Sequence, residues 1–118
     1  MNTAILVVDD ERNLVNLLEM VLTKRGYRVH AALTVEDAQK LIERIAFDLA
    51  LIDIKIGPND GLFLLDEIRE RRPDTKAIVI TAYPTRDTQV TSQQKGASAY
   101  LTKPLDLPEL LRTIQGLV

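Results

Sequence analysis

Five side chains stand out for the chemistry they could do together: Asp9, Asp10, Asp53, Thr81 and Lys103. Each closes or follows a short aliphatic run. Asp9 and Asp10 follow "AILVV", Asp53 follows "LALI", Thr81 ends "AIVIT" and Lys103 follows "AYLT". Three carboxylates brought together repel one another and raise the pKa of at least one of them unless a cation is present. Mg²⁺ answers that need, because it binds through one or two carboxylates and keeps its other positions for water and phosphate oxygens. Zinc suits the set less well, since there is no cysteine and His30 is the single histidine. Beside a metal, Asp53 becomes a candidate nucleophile that forms an aspartyl phosphate. The Lys103 ammonium can pair with one phosphoryl oxygen, the Thr81 hydroxyl can donate to another, and the small Ala82 leaves access. Taken singly, each residue has an ordinary reading: Asp9 or Asp10 a helix cap, Asp53 a solvated strand end, Thr81 a β-branched filler, Lys103 a surface charge. Only a fold that gathers all five on one rim favours the chemical reading.

The pattern of elements supplies such a rim. Strand-length apolar runs occur at Ala4–Val8, Tyr27–Ala32, Leu49–Ile52, Ala77–Thr81 and Ala99–Thr102. Between them the apolar period becomes helical: Leu14, Leu18, Val21 and Leu22; Val35, Ala38, Leu41, Ile42 and Ile45; Leu62, Leu65 and Ile68; Leu107, Leu110, Leu111 and Ile114. Gly26 and Gly96 fit helix C-termini, Pro73 stops the third helix, and Asp106 with Glu109 has the capping-box spacing. Strands alternating with helices predict an α/β domain with a parallel sheet, right-handed crossovers and helices on both faces. The second strand, Tyr27-Arg28-Val29-His30, alternates and is expected at an edge, with His30 exposed there. Ligands of such sheets bind beyond the carboxyl ends of the strands, which is where the five residues fall.

Composition sets the outer bounds. A chain of 118 residues makes one domain with a proper core. Fifteen basic against seventeen acidic residues give a net charge of −2, which argues against direct nucleic-acid binding by this segment. The N-terminal apolar run is too short for a signal or membrane segment, so no membrane association and a cytoplasmic location are expected.

"VVDDE", "LALIDIKIGPNDG", "IVITAY" and "YLTKP" resemble, in order and spacing, the receiver (response-regulator) domains of bacterial two-component signalling. The resemblance covers nearly the whole chain, 1–118, as one receiver domain that either stands alone or belongs to a longer protein. It implies the flavodoxin-like (βα)₅ fold with strand order 2-1-3-4-5. It implies Asp53 as phosphoacceptor, Asp10 as direct Mg²⁺ ligand with Asp53 and the Lys55 backbone carbonyl, and Asp9 acting through water. Thr81 and Tyr100 are the implied switch pair, Lys103 the implied phosphate partner, and Pro104 is expected after a cis peptide. Lys55 and Tyr83, each two residues beyond a site residue, are expected to tune the lifetime of the phosphorylated form. The implied partners are a sensor histidine kinase or phosphotransfer protein, an output domain or partner protein, and a phosphorylation-dependent second copy. "TAY" and "YLTKP" look somewhat like receivers of activators that work with an alternative sigma factor. The chain would be an enzyme only toward itself.

Two departures from the family pattern keep another reading open. Where receivers commonly have Met-Pro after the acceptor, this chain has Ile56-Gly57, with Pro58 one position later, and a looser loop is expected. Between Pro84 and Gly96 only Val90 is clearly apolar, so the fourth helix is expected to be weakly anchored and a candidate bistable element. Both features fit a degenerate receiver that works as an unphosphorylated interaction or dimerisation module. An aspartate-nucleophile phosphatase is disfavoured, because the acid it needs two residues after the nucleophile is replaced by Lys55.

Overall fold

The computed structural model describes residues 2–118. Strands β1 (Ala4–Val8), β2 (Arg28–Ala32), β3 (Leu49–Asp53), β4 (Lys76–Thr81) and β5 (Ala99–Thr102) form one parallel sheet in the order β2-β1-β3-β4-β5. Helices α1 (Arg12–Lys24), α2 (Val35–Arg44), α3 (Leu62–Arg71), α4 (Arg86–Gln94) and α5 (Leu107–Leu117) alternate with them. This is the expected α/β, flavodoxin-like fold with the expected edge strand β2. A separate ladder, Lys55–Ile56 with Asn59–Asp60, interrupts the connection from β3 to α3 and was not anticipated. No helix among the described residues is long and apolar enough to cross a membrane.

Because side chains alternate across a strand, the sheet divides its apolar residues between two cores. Leu6, Ala50, Ile52 and Val79 pack under α2 and α3 with Ile42, Leu64 and Ile68. Ile5, Val7, Leu51, Ile78 and Ile80 pack under α1 and α5 with Leu18, Leu22, Leu110 and Ile114. Each fully buried Leu or Ile contributes about 1.5–3 kcal/mol, so covering both faces fixes the strand register tightly. That register aligns Val8 with Ile52, Asp53 with Ile80 and Thr81 with Thr102. Asp9, one step past Val8, therefore stands beside Asp53.

Expectation and structure part at His30. It lies on the edge strand but is half-buried, its ring set edge-on against Phe47 with centroids 5.6 Å apart. The edge strand loses hydrogen-bonding neighbours on one side only; its faces are still covered by helices. At α5, Asp106 Oδ1 accepts the Glu109 N–H at 3.1 Å, the forward half of the capping box.

Helix α4 has the sparse apolar face its sequence implies: Val90 is 42% exposed and Ser92 is its one buried residue. Polar ties hold it instead. Thr85 and Thr88 form a reciprocal capping box at its N-terminus, and Thr88 Oγ1 lies 2.7 Å from the Tyr100 hydroxyl. At the other end Arg69 donates to the Gln94 carbonyl at 2.9 Å, and Lys95 pairs with Asp66 at 2.7 Å.

Candidate functional site

The five residues chosen from sequence meet at the carboxyl edge of the sheet. Asp9, Asp53 and Thr81 are buried there, while Asp10 is exposed at the rim. One carboxylate oxygen from each of Asp9, Asp10 and Asp53 lies within 4.8 Å of the others. Lys103 Nζ sits among them, 3.1 Å from Asp53 Oδ2, 2.9 Å from Asp9 Oδ2 and 3.5 Å from Glu11 Oε1. The Lys103 N–H donates to the Thr81 carbonyl at 2.8 Å, and the Lys103–Pro104 peptide is cis.

Local backbone bonds aim the acids. The Lys55 N–H donates to Asp53 Oδ1 at 3.0 Å and the Glu11 N–H to Asp9 Oδ1 at 2.8 Å. Neither Asp9 nor Asp10 caps α1; that position is Glu11, whose side chain makes no cap. The ordinary reading of those two acids is thereby set aside. Tyr83 donates its N–H to Thr81 Oγ1 at 3.0 Å, which leaves the hydroxyl proton of Thr81 available to another acceptor.

Burial is the largest influence on Asp53 and raises its pKa; the charge of Asp9 adds to this, while Lys103 and the Lys55 N–H oppose it. Burial alone would lower the pKa of Lys103, but its pairing with the Asp9 and Asp53 carboxylates outweighs it and moves the value up. A carboxyl whose folded pKa is raised binds more protons in the folded state than in the unfolded one. Its ionisation therefore costs stability as pH rises from the ordinary carboxylate range through the folded pKa. Asp53→Asn is accordingly expected to melt higher than wild type at pH 7 in the presence of a chelator, with the gap closing as pH falls toward 4. Parallel melting curves at several pH values check this, and an Asn variant that melts lower throughout contradicts it.

A cation fits this arrangement. Asp9 Oδ2 is buried without an aligned hydrogen-bond donor, since its approach to Lys103 is an ion pair lacking hydrogen-bond geometry. Hard carboxylate oxygens with an orphaned buried member suit a hard divalent ion.

The remaining expected residues stand close by. Lys55 Nζ lies 4.7 Å over the centroid of the Tyr83 ring, which is 66% exposed. Tyr100 is half-buried against the α2/α3 core, with its hydroxyl engaged by Thr88 and reached by the Thr85 N–H at 3.4 Å. Sequence reasoning missed three contributors. Glu11 gives Lys103 a third carboxylate, signalled by the third acid of "VVDDE". Gly57 donates its N–H to Asp10 Oδ2 at 2.7 Å. Gly61 lies so close to the acceptor strand that a Cβ there would overlap the Asp53 carbonyl oxygen. The Asp-Gly that ends the turn cluster was the available signal for that close approach.

With this fold and acidic rim in place, comparison with known proteins identifies the family. The response regulator receiver domain family matches residues 5–115, and the chain belongs to that family. It is 39% identical over 105 residues to the response regulator protein PilR of Pseudomonas aeruginosa, covering 89% of this chain and 24% of PilR. Among solved structures, a CheY-like receiver domain protein from Methanospirillum hungatei superposes with a TM-score of 0.95 at 34% identity, over 98% of this chain and 93% of that one. A Burkholderia pseudomallei response regulator, solved with a phosphorylated aspartic acid, a calcium ion and citrate, gives 0.91 at 31% identity, over 97% and 67%. The chain thus spans about a quarter of the length of PilR.

Proposed function

We propose that this receiver is a phosphorylation-controlled switch whose acceptor is Asp53. A carboxylate oxygen of Asp53 attacks the phosphorus of a phosphohistidine on a sensor kinase or phosphotransfer protein. The new O–P bond forms as the P–N bond breaks, and its electron pair returns to the imidazole. Asp10, Asp53 and the Lys55 main-chain carbonyl, with Asp9 acting through water, would hold Mg²⁺, which when bound neutralises charge on the phosphoryl oxygens. Lys103 supplies the second positive charge and Thr81 a hydroxyl donor. The observation that carries this reading is the buried Asp53 carboxylate with Lys103 Nζ 3.1 Å away inside the three-aspartate cluster. The phosphorylated aspartic acid of the Burkholderia relative supports it. The single histidine of these 118 residues, His30, packs on Phe47, so the donor lies outside this domain. An open groove lined by Leu14, Leu17, Ala82, Pro104 and Leu107 leads to the site and offers that partner an approach.

In the same reading Thr81 turns its hydroxyl onto the phosphoryl group and Tyr100 responds behind it, changing the α4–β5 face that an output domain or partner protein reads. Intact-mass spectrometry after incubation with a small phosphodonor tests the proposal. One phosphoryl gain is expected for wild type with Mg²⁺ and none with chelator or in Asp53→Asn. No gain under any condition would favour the unphosphorylated interaction module.

Lys55 and Tyr83 bridge the loops that follow β3 and β4, beside the acceptor and Thr81 respectively. An exposed cation–π contact is worth about 0.5–1 kcal/mol, equivalent to roughly two- to fivefold in a rate. Tyr83→Ala is expected to shorten the phosphorylated lifetime by that factor, read as phosphoryl loss over time. An unchanged decay removes Tyr83 from this role.

A further inference from the structure

Gly57 occupies the position where receivers commonly carry proline, and its backbone does something proline cannot. Its N–H donates to Asp10 Oδ2 at 2.7 Å, across 47 residues of sequence. We infer that Gly57 is a positioning residue for metal binding: its amide holds the exposed carboxylate of Asp10 toward Asp9 and Asp53. The inference rests on the proposed Mg²⁺-dependent acceptor site.

Asp10 is exposed at the rim, so its side chain would otherwise sample several rotamers. A short charge-assisted bond from a fixed donor removes that freedom before a cation arrives. The donor is fixed for reasons visible in the loop. Ile56 pairs with Asn59 across a two-residue turn, and Gly57 takes φ +59°, the left-handed value that the first central residue of such a turn uses. Ile54 and Ile56, both buried, pin the ladder to the core, and the Gly61 N–H closes it on the Ile54 carbonyl at 2.5 Å. Proline at 57 would lack the N–H and could not adopt the positive φ. One carboxylate oxygen of Asp10 is engaged by Gly57 and the other remains for a cation. This is the arrangement by which groups behind a ligand orient it.

Two measurements test the inference. In labelled wild type, a through-hydrogen-bond scalar coupling between the Gly57 nitrogen and the Asp10 carboxylate carbon is expected both without Mg²⁺ and at saturation. Calorimetric Mg²⁺ titration should give Gly57→Asn, which keeps the donor and tolerates the left-handed backbone, an affinity within threefold of wild type. Gly57→Pro should bind about tenfold more weakly. Loss of the coupling on Mg²⁺ addition would show that the amide competes with the ion and would overturn the inference. So would a Gly57→Pro affinity equal to wild type, or equal weakening by Asn and Pro, which would assign the effect to loop shape. Wild type that binds no Mg²⁺ at all would instead bring down the functional reading itself, and this inference with it.

Discussion

Lys103→Ala is expected to slow phosphoryl acceptance at least a hundredfold and to cost about 3 kcal/mol of stability at neutral pH without metal. The ammonium lies within 3.5 Å of three carboxylates, and the Asp9 and Asp53 side chains are only 2% and 8% exposed. Removing one partner of a buried ion pair leaves the other charge uncompensated, which typically costs about 3–5 kcal/mol. The low end applies because Asp53, already raised in pKa by burial, can take up a proton. The rate effect has a separate origin. A positioned charge aimed at a developing charge is worth about 2.7–4 kcal/mol, or roughly a hundred- to a thousandfold. Mg²⁺ should therefore restore much of the lost stability and little of the lost rate. Denaturant titration with and without Mg²⁺, beside phosphorylation kinetics, separates the two. A variant within 1 kcal/mol and threefold of wild type would show that Lys103 is a bystander.

Gly61→Ala is expected to cost about 2–4 kcal/mol and to impair acceptance sharply, although the residue bears no functional group. Its φ of −65° suits any amino acid, so backbone conformation is no obstacle. Space is the obstacle. The added Cβ would overlap the Asp53 carbonyl oxygen and come within 3.2 Å of Ile52 Cγ2. Overpacking of this kind costs about 1–3 kcal/mol and sometimes more, because backbone has to move. The strand that must yield is the one carrying the acceptor, so the carboxylate shifts relative to Lys103 and Asp9. Gly116→Ala is the matched control, since nothing lies within 4 Å of its Cβ position in α5. There alanine should stabilise by about 0.5–1 kcal/mol through helix propensity. Equal stability of the two variants would refute the steric account.

The course of the strands and the convergence of Asp9, Asp10, Asp53, Thr81 and Lys103 were legible because periodicity reports burial and the strand ends follow from it. Contacts made by backbone were not. The Gly57 amide on Asp10 and the approach of Gly61 to Asp53 depend on the three-dimensional course of a loop, and neither leaves a pattern beyond a glycine in a turn cluster. The half-buried His30 was misjudged for a related reason. Alternation along β2 marked an edge strand correctly, yet Phe47, which covers His30, comes from the loop before β3. The thin apolar face of α4 was readable residue by residue. The ties that replace it, from Tyr100, Arg69 and Asp66, join residues 12 to 29 positions apart in sequence and had no local signature.

Those ties give α4 an unusual calorimetric character. The heat capacity change of a structural transition follows the apolar surface it exposes, offset by the polar surface. Val90 is already 42% exposed and the buried side chain of α4 is a serine, so releasing this helix uncovers little hydrocarbon. Its release would carry a near-zero or slightly negative heat capacity increment, in contrast to α1, whose Leu18 and Leu22 are wholly buried. An equilibrium governed in that way drifts little with temperature, so the position of α4 is set by which hydrogen bonds and ion pairs are made.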